Sequence, residues 1–146
     1  MLLDEEDCKE KIHSLTNKSW KPLLDLIPEI ENTRNFGKWE KGDKNEEGVI
    51  QIPYFIPADV VSRFLKILYS IPIIIAFNWG AWDEGRKIAN DPNFNFDKAD
   101  LVTKCKLITA LVRNDRFCEG ALASAFESGL ILKILKSVEN QVSTLT

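Results

Sequence analysis

One histidine, three cysteines and a single methionine are all that this 146-residue chain carries of the residues most often found at metal and redox centres. His13 with Cys8, Cys105 and Cys118 offers none of the ligand spacings of a zinc tetrad. The acidic start, Asp4 to Asp7, suits a solvated first helical turn better than a cation cage. The three cysteines are odd in number and contain no CxxC pair, and Cys105 and Cys118 lie in apolar contexts where a thiol acts as a small hydrophobe. That usage points to a reducing compartment and not to a disulfide framework. A Ser-His-Asp arrangement would depend wholly on His13, whose neighbour Ser14 points away from it on a helix, and no GxSxG elbow occurs. The expectation is therefore no metal and no cofactor.

Long apolar runs are also missing. The richest stretch, Ile67 to Phe77, is interrupted by Pro72 and falls short of the ~20 residues a membrane-spanning helix needs. The N-terminal residues are acidic where a secretory signal is basic. Both features lead to the expectation of a cytoplasmic protein with no membrane association. Basic charge is sparse: the net charge is −3, with 12 acids and 8 bases in residues 1–50, 6 and 5 in 51–100, and 4 and 6 in 101–146. Duplex nucleic acid is disfavoured as a partner, because affinity for it rests on a dense cationic face that releases counterions. The mildly basic last third still leaves room for a local anion site.

What is present is helical periodicity. Apolar residues make up 45% and charged residues 28%, the usual balance of a globular domain. Leu3, Cys8, Ile12 and Leu15 stripe a first helix from Asp4 to Leu15. A second helix runs from Ser19, with Pro22 in its first turn and Pro28 bending or shortening it. Residues 36–55 change character: FGKWE and GVIQIPYF flank a polar KGDKNEEG. This reads as a hairpin on which Trp39 packs into the core, with a disordered loop as the competing reading. Val61, Phe64, Leu65 and Leu68 form the next helical face, ended by Pro72. Asn78 is positioned to cap a helix from Trp79 to Ala89, stopped by Asn90-Asp91-Pro92. Asp97 and Asp100 precede a helix striped by Leu101, Cys105, Ile108 and Val112. Asp115 is positioned to cap a helix from Arg116 to Ser128, Gly129 suits a left-handed C-terminal turn, and Ile131, Ile134, Leu135 and Val138 mark the last helix before a frayed QVSTLT tail. The expected fold is a mainly α single domain spanning 1–146, with five to seven short helices and the hairpin around residues 36–55.

Two constellations stand out. Trp79 and Trp82, three apart, share a face of the expected helix. They serve either as a plug against the Leu101–Val112 helix or as an aromatic wall for a ligand or peptide. Asp83 and Arg86 on the same helix are spaced to pair on its surface. The neighbouring GAWDEGRK imitates a phosphate loop but lacks its lysine and hydroxyl and carries two acids that would repel phosphate. The second constellation is Thr109, Arg113, Arg116 and Gly120, one stripe if the helix is unbroken. Two guanidiniums beside a hydroxyl can clamp a phosphate or carboxylate, while Glu119 can neutralise Arg116. The competing reading is a structural ion-pair network at Asn114-Asp115.

FNWGAW followed by ADLVTKCKLITALVRNDRFCEGALASAFESGLILKIL resembles a bacterial family of unknown function, DUF6508, over roughly residues 53–138. The shared pattern falls on Trp79, Trp82, Thr109, Arg113, Arg116, Phe117, Glu119, Gly120 and Gly129. The resemblance implies that these residues belong together and assigns no activity. The leading functional expectation is a non-enzymatic binding or interaction module, with Trp79, Trp82, Thr109, Arg113, Arg116 and Glu119 as ligand-binding residues and no catalytic residue. Its partner is an unknown protein or a small anionic ligand, and the oligomeric state is open. The alternative is a small enzyme or nucleotide-binding protein whose arginine pair holds a phosphorylated or carboxylated ligand, with Glu119 as base or ribose contact. Single-stranded nucleic-acid binding, from aromatics near basic residues, is a third reading.

Overall fold

The computed structural model of the chain describes residues 5–40, 48, 52–71 and 73–143. Leu3, the Cys8 side chain, the hairpin tip, Pro72 and residues 144–146 lie outside them. The mainly α expectation holds, and the helices follow the apolar stripes with shifted ends. α1 (Glu5–His13) buries Ile12, and Leu15 seals the turn after it. α2 (Asn17–Leu24) starts two residues before Ser19, whose hydroxyl accepts the Thr16 N–H at 3.2 Å and fixes the entry. Pro28 does not bend that helix. It is the second residue of a separate α3 (Ile27–Asn32), where its missing N–H leaves no bond unmade.

β1 (Gly37–Glu40) and β2 (Tyr54–Pro57) pair antiparallel, so the hairpin reading of residues 36–55 stands, with β2 ending two residues later. α4 (Asp59–Ser70) buries Val60, Val61, Phe64 and Leu68. Ile73 and Ile75 then enter the core as an extended connector. The helix expected over Trp79–Ala89 is split into a 3₁₀ turn at Trp79–Ala81 and α5 (Asp83–Ala89). The break falls at Trp82, whose φ −88° and ψ 83° are not helical. Asp83 and Glu84 then open α5 with negative charge at the positive end of its dipole.

α6 (Leu101–Asn114) and α8 (Leu130–Val142) make the centre of the core. Cys105, Ile108, Ile131, Ile134, Leu135 and Val138 are fully buried there, and α8 packs on α2, α3, α6 and α7 (Ala121–Glu127). Val142 is also buried, so α8 continues into the expected frayed tail. Phe126 of α7 stacks on Phe36 at 5.2 Å and meets Phe64 edge-on at 5.0 Å, joining α7, the hairpin entry and α4. Lys104 is 1% exposed on α6. Burial pushes its pKa down, opposed by Asp97 and Asp100, while its ammonium donates to Gln141 Oε1 at 2.6 Å. Gly129, at φ +85°, forms the left-handed turn between α7 and α8, as its sequence position indicates.

Of the two aspartates before α6, Asp100 is the cap: its carboxylate accepts the Thr103 N–H at 2.7 Å. Partial burial pushes the Asp100 pKa up, but the Thr103 hydrogen bonds and the charges of Lys9 and His13 outweigh it and hold the carboxyl below its usual range. A carboxyl with a depressed folded pKa stabilises above its ordinary titration range and loses that contribution as pH falls toward the folded value. Asp100→Ala is expected to cost about 1 kcal/mol at neutral pH. Urea titrations of both proteins at neutral and strongly acidic pH check this. The difference should shrink on acidification, and a constant difference would remove the carboxylate from the account.

Candidate functional site

The connection between α6 and α7, residues 115–120, lies between two grooves. It exists because α6 stops at Asn114, a break at Asn114-Asp115 that ends the stripe an unbroken helix would have formed. Arg116 N–H and Phe117 N–H fold back on the carbonyls of Arg113 and Asn114, and Gly120, at φ +88°, redirects the chain into α7. α7 begins at Ala121 and not at Arg116, so its N-cap position falls to Gly120 and not to Asp115. Asp115 Oδ1 accepts the Leu122 N–H at 3.0 Å across seven residues.

The first groove, about 200 Å³, is lined by Trp79, Trp82, Arg86, Leu107, Ala110 and Asn114 among others. Leu107, Ala110 and Asn114 follow helical spacing on α6, and both indoles face this stripe half-buried. The tryptophans are therefore neither a sealed plug nor neighbours on one α-helix: a 3₁₀ turn carries Trp79, and Trp82 sits at the head of α5. Trp82 lies over Gly85, where an added Cβ would come within 2.2 Å of the ring, so only glycine admits the indole there. Phe77 meets Trp82 edge-on at 5.7 Å, and Lys106 Nζ stands 4.7 Å from the Trp82 ring centre and 5.2 Å from that of Phe77. Arg86 pairs with Asp83 at 3.2 Å, as its spacing indicates, and also donates to the Gly80 carbonyl, clipping the 3₁₀ turn onto α5. Trp79 reaches across to Phe117 of the connection at 5.9 Å.

The second groove, about 310 Å³, lies on the other side of the connection, between the hairpin and the start of α7. Trp39 and Phe55, directly opposite each other in the hairpin register, form its wall at 5.4 Å, with Cys118, Glu119, Ser124 and Glu127 across from them. Trp39 is 55% exposed, which corrects its assignment to the core. Its position on a two-stranded ribbon leaves one side of the indole without a covering element.

The six residues singled out in sequence are thus divided. Trp79 and Trp82 share the first groove and Glu119 lines the second. Thr109 lies inside the core, fully buried, where its hydroxyl accepts the Ile75 N–H at 3.1 Å and donates to the Cys105 carbonyl at 2.8 Å. With both hydroxyl functions used by backbone, it is not a surface contact. Arg113, half-buried, and Arg116, exposed, sit between the grooves and line neither. The expected ion-pair network at Asn114-Asp115 is not found among the described residues: neither guanidinium lies within ion-pair distance of a described carboxylate. Both nearby acids are occupied by backbone amides instead, Asp115 by Leu122 and Glu119 by Phe55 at 2.8 Å. Alternating charge in RNDRFCE suggests self-neutralisation; the fold separates the signs. Among the described residues no group of three or more His, Cys, Asp or Glu side chains is arranged to hold a metal ion. No described helix is long and apolar enough to cross a membrane.

Sequence reasoning missed Arg86 as a clip, Asn114 as a groove residue, and the whole Trp39/Phe55 wall. The last carried no local signal, because strand pairing across some fifteen intervening residues is what brings the two rings together. Residues 15–144 match the model of a family of unknown function, DUF6508. No curated protein and no solved structure matches the chain. The matched stretch is wider than the 53–138 expected from the motifs and takes in α2, α3 and the hairpin, so both grooves fall within it. The chain belongs to the DUF6508 family, whose function is unknown.

Proposed function

We propose that this protein is a non-enzymatic interaction module of the bacterial cytoplasm, and that the α6–α7 connection with its flanking grooves receives an apolar segment of a partner protein flanked by acidic residues. The observation that carries the reading is the pairing of accessible aromatic surface with two guanidiniums that have no ion-pair partner among the described residues. Phe117 is 78% exposed against half-buried Trp79, beside Arg113 and Arg116. Exposed aromatics of this kind mark interaction sites, where Trp and Arg supply most of the binding energy. Asp115 and Glu119 each hold a backbone N–H and form no ion pair with either guanidinium among the described residues. The test is fluorescence-anisotropy titration of a peptide array that varies acidic and aromatic content, at low and high salt. Acidic-aromatic peptides should bind, with affinity falling as salt rises. Trp79→Ala and Arg116→Ala should weaken binding without lowering the melting temperature. Equal capture of neutral and acidic peptides would overturn the charge argument.

A second reading takes the same unpaired guanidiniums as a clamp for a small phosphorylated or carboxylated ligand whose ring lies against Trp79. Thermal shift with nucleotides and inorganic phosphate separates the two. Stabilisation by a nucleotide that Arg113→Ala abolishes would favour this reading over a peptide partner.

A further inference from the structure

Hydrogen-bonding capacity is unequal along the two edges of the hairpin. The register pairs Lys38 with Ile56 and Trp39 with Phe55, and one pair beyond Gly37 and Pro57 the Ala58 N–H donates to the Phe36 carbonyl at 2.9 Å. Antiparallel pairs alternate between bonded and non-bonded, so the even-numbered residues bond across the hairpin. Trp39 and Phe55 then turn their N–H and C=O groups outward. On β2 every outward donor position is closed. Pro53 and Pro57 have no N–H, and the Phe55 N–H is taken by Glu119. Two prolines and a carboxylate are an effective block against strand addition on that side.

β1 is open by comparison. The Gly37 N–H is turned onto Asn35 Oδ1 at 3.1 Å, but the outward N–H of Trp39, at the middle of the strand, has no partner among the described residues. β2 is the one described element packed extensively along β1. The side chains flanking Trp39 are a charge pair, Lys38 and Glu40, bridged at 2.9 Å on the exposed face. That short pattern is complementary to itself. Laid antiparallel with Trp39 opposite Trp39, two copies place each Lys38 opposite Glu40 of the other copy. The two Trp39 residues then exchange both backbone hydrogen bonds. The large exposed hydrophobics are also concentrated here, with Trp39, Ile52, Tyr54 and Ile56 all on or beside the hairpin.

We propose that β1 is a self-association edge, joining two copies of this chain about a twofold axis into a four-stranded sheet ordered β2-β1-β1-β2. The occupant of the edge is a second copy because the charge pattern matches its own reverse, and the opposite edge is closed to any strand. β1 also walls the second groove through Gly37 and Trp39, but the edge it offers a second copy is its backbone and its Lys38–Glu40 pair, which line neither groove, so the inference does not rest on the partner proposed above.

Sedimentation equilibrium of the full chain tests it through two charge reversals. Lys38→Glu and Glu40→Lys each place like charges opposite one another at both symmetry-related pairs, and each should weaken the dimer about tenfold or more. Mixing the two variants restores opposite charges across the twofold axis, so a heterodimer should form at close to the wild-type constant. Neither variant regains its own Lys38–Glu40 bridge in the mixture, so recovery reports the contact between copies and not repair of the hairpin. Circular dichroism of each variant confirms that it folds. A wild-type chain that stays monomeric at its highest soluble concentration would overturn the proposal. So would a dimer indifferent to either reversal, or a mixture no tighter than its components.

Discussion

Trp20→Ala is expected to lower the unfolding free energy by about 3–5 kcal/mol, the range for deleting a large aromatic from a packed core. Trp20 is the largest side chain with no exposure, held on α2 among the residues that face α4 and α8. A loss of that size corresponds to a fall of about 10–16 °C in melting temperature for a domain of this length. Its indole N–H has no acceptor among the described residues. Trp20→Phe therefore removes an unpaired buried donor while keeping most of the ring, and should cost less than half as much. Urea unfolding followed by circular dichroism, with unchanged slope, decides between these outcomes. Equal losses for the two variants would mean that the N–H is bonded and contributes in its own right.

Thr109→Val should cost about 1–3 kcal/mol although it changes almost no volume. The methyl that replaces the hydroxyl cannot accept the buried Ile75 N–H, and the connector after α4 loses its tie to α6. Thr109→Ser keeps the oxygen and should recover most of the loss. Peptide binding by the folded fraction should be unchanged in both, because Thr109 touches no groove. Loss of binding with stability intact would return this residue to the recognition surface.

The helices were legible wherever an apolar stripe ran for two turns or more: α6 and α8 bury the residues their spacing selects, and α4 all of them but the half-buried Leu65. Their ends were less so. A proline read as bending or shortening one helix proved to be the second residue of a new one, after the first had ended at Leu24. A helix read through Trp82 broke there, because the indole is seated on Gly85 while Arg86 holds the preceding turn by the Gly80 carbonyl. Neither contact has a signature in the order of residues.

The site was half-legible for the same reason. Trp79 and Trp82, singled out as a pair, line one groove, which was not visible until α6 supplied its floor. Thr109 sat on the same sequence stripe as the arginines, but the stripe ends with α6 and leaves the hydroxyl facing Ile75. Trp20 gave no warning of being a fully buried ring. Trp39, assigned to the interior, is more than half exposed.

Sequence alone determined the class of the fold, the apolar faces, the turn at Gly129 and the pair of aspartates from which the α6 cap is drawn, since these depend on residues within one or two turns of each other. Tertiary structure decided which charges remain unpaired. Asp115 and Glu119 stand next to Arg113 and Arg116 in the chain, yet their carboxylates are drawn to amides of Leu122 and of distant Phe55. A carboxylate near a bare backbone N–H gains a charge-assisted hydrogen bond and closes a donor that would otherwise go unmet. That competition depends on where α7 and β2 come to rest, and no spacing of letters encodes it.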